Sequence, residues 1–172
     1  MTKGCESVTV WASGSGELIQ NSYYISCNQT LEEVHSEDKI MEPSLYDILG
    51  GRAKVEQIAH SFYDIMEQEE PELTRLHECT EDGLIEADVR HRFALFLVGW
   101  LGGPQEYMAQ YGHPRLRMRH RNVEVNIKMR DAWVRCMDAS MKKNEVPEEV
   151  YNYLSARFTQ VADFMRNVPE EQ

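Results

Sequence analysis

The sequence predicts an all-α domain, and three observations support this. Apolar side chains recur every three to four positions over most of residues 45–168, which is the period of helices that bury one face. No segment after residue 44 shows the clear alternation of a half-buried strand. Breaks at Gly50-Gly51, Gly102-Gly103-Pro104 and Gly112-His113-Pro114 divide the pattern into separate helices.

Composition limits the function classes. A chain of 172 residues with 42% hydrophobic and 27% charged residues fits one globular domain with an extension. A net charge of -11 argues against nucleic acid or an anionic membrane as the main partner, and no apolar run is long enough to span a bilayer. The N-terminus lacks the apolar block of a secretory signal, and the four cysteines form no C-x-x-C pair. We therefore expect a cytoplasmic protein with reduced thiols.

The two ends of the chain are expected to lie outside the domain. Residues 1–44 carry two lysines against seven acidic residues, include the small-residue run at 12–16, and show no sustained helical period. This composition is typical of a flexible extension. The predicted organisation is an extension over residues 1–44, a domain over 45–168 and a short tail over 169–172.

Capping and periodicity place the first helices. Ser44 is expected to cap a short helix over residues 45–49, which Gly50-Gly51 ends. The next helix covers about residues 52–68, and Pro71 suits the first position of a short helix that reaches His77. Residues 78–86 are expected to form a loop.

Three longer apolar patterns predict the remaining helices. Their inward positions are Val89, Phe93, Phe96, Leu97 and Trp100 in one helix, Val125, Met129, Trp133, Met137 and Met141 in the next, and Tyr151, Leu154, Phe158, Val161, Ala162 and Met165 in a last helix after Pro147. The positions predicted to face inward are rich in aromatic residues and methionine, Met118 included. For any one of them, ordinary core packing is the simpler explanation.

Tyr63, His77 and Trp133, however, bring polar atoms from three different elements, and such atoms need partners inside a protein. Their convergence would form a pocket for a polar ligand.

His120 is the candidate for holding that ligand. It lies between two glycine and proline breaks and the next helix, in the basic run at residues 115–121. A surface histidine would be the ordinary explanation on spacing alone. A single axial imidazole suits haem iron, whereas a structural zinc needs four protein ligands. Haem propionates would also supply an anion for the arginines.

Several motifs in order resemble those of the group II truncated haemoglobins. They are LYDILGG at 45–51, SFYDIM at 61–66, LTRLH at 73–77, RFALFLVGWLGGP at 92–104, Tyr107, GHPRLRMRH at 112–120 and RDAWVRCM at 130–137. The resemblance implies a two-over-two globin helical sandwich around haem b, whose iron His120 binds on the proximal side. It implies that Tyr63, His77 and Trp133 stabilise the distal ligand. It also assigns the cofactor-binding residues, namely the propionate anchors Arg92, Tyr107 and Arg119 and the apolar contacts Phe62, Phe93, Phe96, Leu97 and Met118.

Two departures from the family pattern stand out. Asn122-Val123 replaces the usual Pro-Phe after the proximal histidine, and the loop at residues 78–88 is longer than in the family. In addition, Val89 falls where many globins have a distal histidine, which implies that other residues stabilise the ligand.

The resemblance implies a cytoplasmic globin that binds oxygen and other diatomic ligands reversibly at a five-coordinate iron. An unidentified reductase would keep the iron reduced, and the protein would be a monomer or homodimer. The alternative is a haem enzyme with peroxidase-like or nitric oxide dioxygenase activity at the same site. A third hypothesis, from a different class, is a cofactor-free helical interaction domain that docks through its acidic N-terminal segment.

Overall fold

The structure is a computed structural model that describes residues 43–169, and this part of the chain is helical. Its elements are α1 (Leu45–Leu49), α2 (Arg52–Glu69), α3 (Pro71–Thr74), α4 (Ala87–Trp100), α5 (Glu106–Tyr111), α6 (Leu116–Arg119), α7 (Ile127–Lys143) and α8 (Glu148–Met165). Within these residues the only β-type pairing is an isolated antiparallel bridge between Cys79 and Ile85. The predicted all-α class is confirmed.

The start of the domain is fixed by the expected cap. The Ser44 hydroxyl accepts a hydrogen bond from the Asp47 N–H at 3.2 Å, and the Asp47 carboxylate accepts one from the Ser44 N–H at 3.1 Å. This reciprocal pair satisfies donors that a helix start leaves open. Helix α1 lies against the end of α4, where a Cβ on Gly103 would stand 2.6 Å from Tyr46 Cδ2. Glycine is therefore required there for close packing.

Four long helices build the core in two pairs. Helix α2 packs against both α4 and α7, and α7 packs against α8, which gives the two-over-two arrangement. The residues buried completely or almost completely include Val55, Phe62, Met66, Leu97, Met137, Met141 and Leu154. Ser140 is also fully buried on α7, and its hydroxyl donates to the Ile58 carbonyl oxygen of α2 at 2.7 Å. A hydrogen bond therefore joins α2 and α7 inside the apolar core.

Helix α4 differs from its predicted orientation. Leu95 and Val98, which were not among the predicted inward positions, are buried, while Phe93 and Phe96 are only half-buried. The reason is that residues 93–98 are apolar all round, so the helix is contacted by α2 on one side and by α5 on another. A single-face period cannot describe a helix that packs in two directions.

Helix α5 lies between the second and third glycine and proline breaks, residues 102–104 and 112–114, and the short helix α6 follows the third break. Helix α3 ends at Thr74 and does not reach His77. The predicted extension over residues 1–44 lies outside the described residues except for its last two positions, 43 and 44. Residues 170–172 of the predicted tail also lie outside them. Among residues 43–169, no helix is both long and apolar enough to cross a membrane.

Candidate functional site

A largely apolar cavity of about 270 Å³ opens beside α3, α6, α7 and α8. Aliphatic and methionine side chains supply most of its wall, and its polar atoms come from two imidazoles, two guanidinium groups and an indole. The lining residues are Leu73, Leu76, His77, Leu116, Arg119, His120, Val123, Val125, Met129, Arg130, Trp133, Val161, Ala162 and Met165. Four of the predicted polar site residues, His77, Arg119, His120 and Trp133, therefore share one cavity.

His120 is held in a defined orientation. It follows the single turn of α6, and its Nδ1–H donates to the Leu116 carbonyl oxygen at 2.8 Å. A carbonyl oxygen only accepts, so Nδ1 carries the proton in the neutral ring and Nε2 keeps its lone pair. Leu116 also lines the cavity. The free nitrogen thus belongs to a ring on the cavity wall.

Asn167 is hydrogen-bonded to the backbone of His120 and of the segment that follows it. Its side-chain N–H groups donate to the His120 carbonyl oxygen at 3.1 Å and to the Val123 carbonyl oxygen at 2.8 Å. Its side-chain oxygen accepts from the Val125 N–H at 2.9 Å, and its own N–H donates to the Val125 carbonyl oxygen at 3.1 Å. Four hydrogen bonds from one residue therefore join the end of α8 to the backbone around His120.

His77 faces the cavity from the loop after α3. Its Nδ1–H donates to the Leu73 carbonyl oxygen at 3.0 Å, in the same pattern as His120 and Leu116. Burial is the main cause that lowers the pKa of His77, and the charge of His120 lowers it further against the opposing effect of the Leu73 carbonyl. The neutral ring is therefore favoured, with its Nε2 lone pair unshared.

Trp133 joins the cavity to an aromatic cluster. Its ring lies 5.2 Å from that of Phe62 and 5.9 Å from that of Phe158, measured between centroids. Phe62 in turn contacts Phe93 at 5.2 Å. The indole N–H makes no hydrogen bond to any residue between 43 and 169, and it is not sealed inside protein atoms. The indole thus offers a free donor.

Tyr63 lies beside this cluster, and the guanidinium group of Arg90 lies over its ring. Its ring meets the His77 ring edge-on at 5.7 Å, and the Arg90 guanidinium lies 5.5 Å from its centroid. Arg90 pairs with Asp64 at 2.8 Å and with Glu67 at 2.7 Å, so it also ties α4 to α2. Burial raises the pKa of Tyr63 well above the usual phenol value, which keeps the hydroxyl protonated.

Other predicted cofactor contacts lie away from the cavity wall. Arg92 pairs with Glu78 and Asp88, both at 3.1 Å. Tyr107 is buried against Phe96, with 5.8 Å between ring centroids. Phe62 and Leu97 belong to the hydrophobic core, Phe93 packs against that core, and Phe96 stacks on Phe93 with 6.4 Å between ring centroids; none of the four lines the cavity.

The expected inward position of Met118 is wrong, because its side chain is 56% exposed. Leu116 and His120 lie four residues apart on one side of the turn, so the residue midway between them points to the opposite side. Arg119, in contrast, does line the cavity, and its Nε donates to the Pro114 carbonyl oxygen at 3.0 Å.

Sequence reasoning missed several wall residues and the Asn167 contacts. Leu73, Leu76 and Leu116 are ordinary apolar residues in short elements, where no period distinguishes a wall from a core. Asn167 follows the last helix and bonds to residues more than 40 positions away. No local signal marks such a contact.

The residues that line the cavity suit haem better than a metal held by protein side chains alone. Within the described residues, no group of three or more His, Cys, Asp or Glu side chains is placed to hold a metal ion. Imidazoles with a free nitrogen in a largely apolar wall, together with a cavity-lining arginine, instead suit a cofactor that brings its own in-plane ligands and acidic groups. Fold and site together define a two-over-two truncated globin.

Comparison with known proteins gives the same class. The bacterial-like globin family matches residues 44–167, and the chain belongs to this family. It is similar to the group 2 truncated haemoglobin YjbI of Bacillus subtilis (strain 168), at 35% identity over 77 residues. That match spans 45% of this chain and 58% of the relative.

Two solved structures extend the similarity over the domain. The cold-adapted truncated haemoglobin from the Antarctic marine bacterium Pseudoalteromonas haloplanktis TAC125 is 36% identical, with a TM-score of 0.67 over 74% of this chain and 100% of that one. The truncated oxygen-avid haemoglobin from Bacillus subtilis is 26% identical, with a TM-score of 0.65 over 73% of this chain and 100% of that one. Membership in a globin family implies haem binding.

Proposed function

We propose that this protein holds haem b through His120 and binds oxygen and other diatomic ligands reversibly. One observation carries the proposal: the His120 Nδ1–H donates to the Leu116 carbonyl oxygen at 2.8 Å, so that Nε2 keeps its lone pair on a ring that lines the cavity. Neutral imidazole with an unshared nitrogen is the form that binds haem iron. The description of the similar Bacillus subtilis protein as oxygen-avid supports the choice of ligand.

When bound, haem supplies an iron atom that takes up diatomic ligands. The chain's own contribution would be to offer hydrogen-bond donors to such a ligand. The Trp133 N–H, on a residue of the largely apolar cavity wall, and the Tyr63 O–H, on a buried residue that is not part of that wall, make no hydrogen bond within the described residues. Inside a protein a hydrogen bond is stronger than in water. A polarised ligand would therefore be held more tightly.

The arginines near His120 suit the propionate groups of haem. Arg119 lines the cavity, is exposed, and makes no ion pair within residues 43–169, so its charge is available to an anion. Arg92 and Tyr107 remain proposed anchors on the strength of the resemblance alone. We also keep the proposals of a globin domain over residues 45–168, a cytoplasmic location, a separate reductase and a monomeric or homodimeric state.

The enzymatic alternatives would use the same pocket. Turnover assays with peroxide, and with nitric oxide plus a reductant, separate them from simple ligand binding. Negligible turnover in both would leave reversible binding as the function.

The test of the proposal is hemin titration of the purified full-length protein, followed by absorption spectra in the ferric and ferrous forms. We expect one haem per chain in the wild type and a loss of stable haem binding in His120→Ala. His91→Ala is the matched control, since His91 is an exposed histidine on α4 that does not line the cavity. Haem uptake that is unaffected by His120→Ala would refute the assignment.

A further inference from the structure

The cavity wall contains two histidines with the same hydrogen-bond pattern. Each ring donates its Nδ1–H to the carbonyl oxygen four residues earlier, His77 to Leu73 at 3.0 Å and His120 to Leu116 at 2.8 Å. All four of these residues line the same cavity. The wall therefore presents two imidazole Nε2 atoms.

The hydrogen bond to Leu73 decides what the His77 ring can do. A neutral imidazole has one N–H and one lone pair, and the carbonyl partner places the N–H on Nδ1. Nε2 then carries no proton, so the neutral ring cannot donate a hydrogen bond to a ligand in the cavity. It can only accept a hydrogen bond or bind a metal.

Apart from His120, no other group on the cavity wall competes with His77 as a nitrogen ligand. Arg119 and Arg130 contribute guanidinium groups, which only donate hydrogen bonds, and the Trp133 indole is likewise a donor only. His77 Nε2 makes no hydrogen bond to any residue the structure describes, so its lone pair is unused in the folded chain. The ring is also held in place, by its bond to Leu73 and by edge-on contact with Tyr63 at 5.7 Å.

We propose that His77 Nε2 is a reversible sixth ligand of the haem iron, so that the ligand-free protein is a mixture of six- and five-coordinate forms. The inference rests on the proposed function, since it requires haem on His120. Binding of a diatomic ligand breaks the bond between iron and His77 Nε2 and forms one between iron and the ligand, with no change in oxidation state. The five-coordinate iron expected from the resemblance is then the form that takes up the ligand.

Competition by His77 would lower apparent ligand affinity in a calculable way. Only the fraction of protein with His77 off the iron is ready to bind, and apparent affinity falls in proportion to that fraction. Removing the imidazole should therefore raise carbon monoxide affinity by a factor equal to one divided by the five-coordinate fraction of the wild type. The wild-type absorption spectrum measures that fraction independently.

The experiment is spectroscopy on the hemin-reconstituted full-length protein at neutral pH without added ligand. We expect low-spin six-coordinate bands in the ferric and ferrous absorption spectra. The ferric electron paramagnetic resonance spectrum should show the low-spin signal of two imidazole ligands. His77→Phe, which keeps a ring, and His77→Leu should convert both spectra to the high-spin form and raise carbon monoxide affinity. His91→Phe, a change at an exposed histidine, should leave both unchanged.

The outcomes separate the two proposals. A wild type that binds haem but is high-spin would overturn the role of His77 and leave the proposed function standing. Low-spin spectra that persist in both His77 variants would overturn it too, because another side chain would then be the ligand. A wild type that takes up no haem would overturn both. A high-spin wild-type resonance spectrum overturns the role of His77 without any variant, and two different substitutions are made so that one can decide if the other fails to fold.

Discussion

Replacing Trp133 with phenylalanine tests the distal hydrogen bond most directly. The indole ring lies 5.2 Å from Phe62 and 5.9 Å from Phe158, and a phenyl ring can keep much of this packing. What the substitution removes is the N–H, which is unpaired in the described part of the chain and belongs to a residue on the cavity wall. The variant therefore isolates one donor.

The expected magnitude follows from the worth of one neutral hydrogen bond. Such a bond contributes about 0.5–1.5 kcal/mol, and the apolar wall favours the upper part of that range. Since about 1.4 kcal/mol corresponds to a factor of ten, oxygen should leave Trp133→Phe roughly 2 to 10 times faster than it leaves the wild type.

The assay is stopped-flow measurement of oxygen dissociation from the ferrous protein. Trp100→Phe is the matched control, because Trp100 also stacks on Phe158, at 5.0 Å, but does not line the cavity. We expect its oxygen dissociation rate to match that of the wild type. An unchanged rate in Trp133→Phe would show that the indole N–H does not reach the ligand.

Two further predictions concern contacts that hold the site in place. Ser140→Ala removes the 2.7 Å hydrogen bond to the buried Ile58 carbonyl oxygen. We expect it to lower the free energy of unfolding by about 1–2 kcal/mol, measured by chemical denaturation. An unchanged free energy of unfolding would show that this bond makes no net contribution to stability. Asn167→Ala breaks the bonds to the His120, Val123 and Val125 backbone, so we expect faster haem loss to an excess of apomyoglobin with little change in helix content by circular dichroism. Equal rates of haem loss would remove Asn167 from this role.

The elements with their own local signals were predicted well. Ser44 and Asp47 form a capping box three residues apart, and the glycines that follow α1 end it where expected. The long helices α2, α7 and α8 also appear where apolar periodicity placed them. In each case the physical cause lies within a few residues of the chain, so the sequence contains it.

The faces of short or fully apolar helices were predicted less well. Met118 was expected to face inward and is exposed, because the single turn of α6 points Leu116 and His120 to the cavity. In α4, residues 93–98 are apolar on all sides of the helix and left the buried face undetermined. A turn of four residues and a helical stretch without polar side chains both lack the contrast from which orientation is inferred.

The residues of the site show the same difference between what local sequence determines and what tertiary packing determines. His120, His77 and Trp133 were singled out from the sequence and its resemblance to a globin family, and tertiary packing brings all three to one cavity. The sequence by itself determined the all-α class, the long helices and the histidine that follows the glycine and proline breaks, because these depend on local spacing. Only the tertiary structure decided which nitrogen of each imidazole is free, since carbonyl groups held by the fold fix the tautomers. It alone revealed Asn167, whose partners are distant in the chain and adjacent in space.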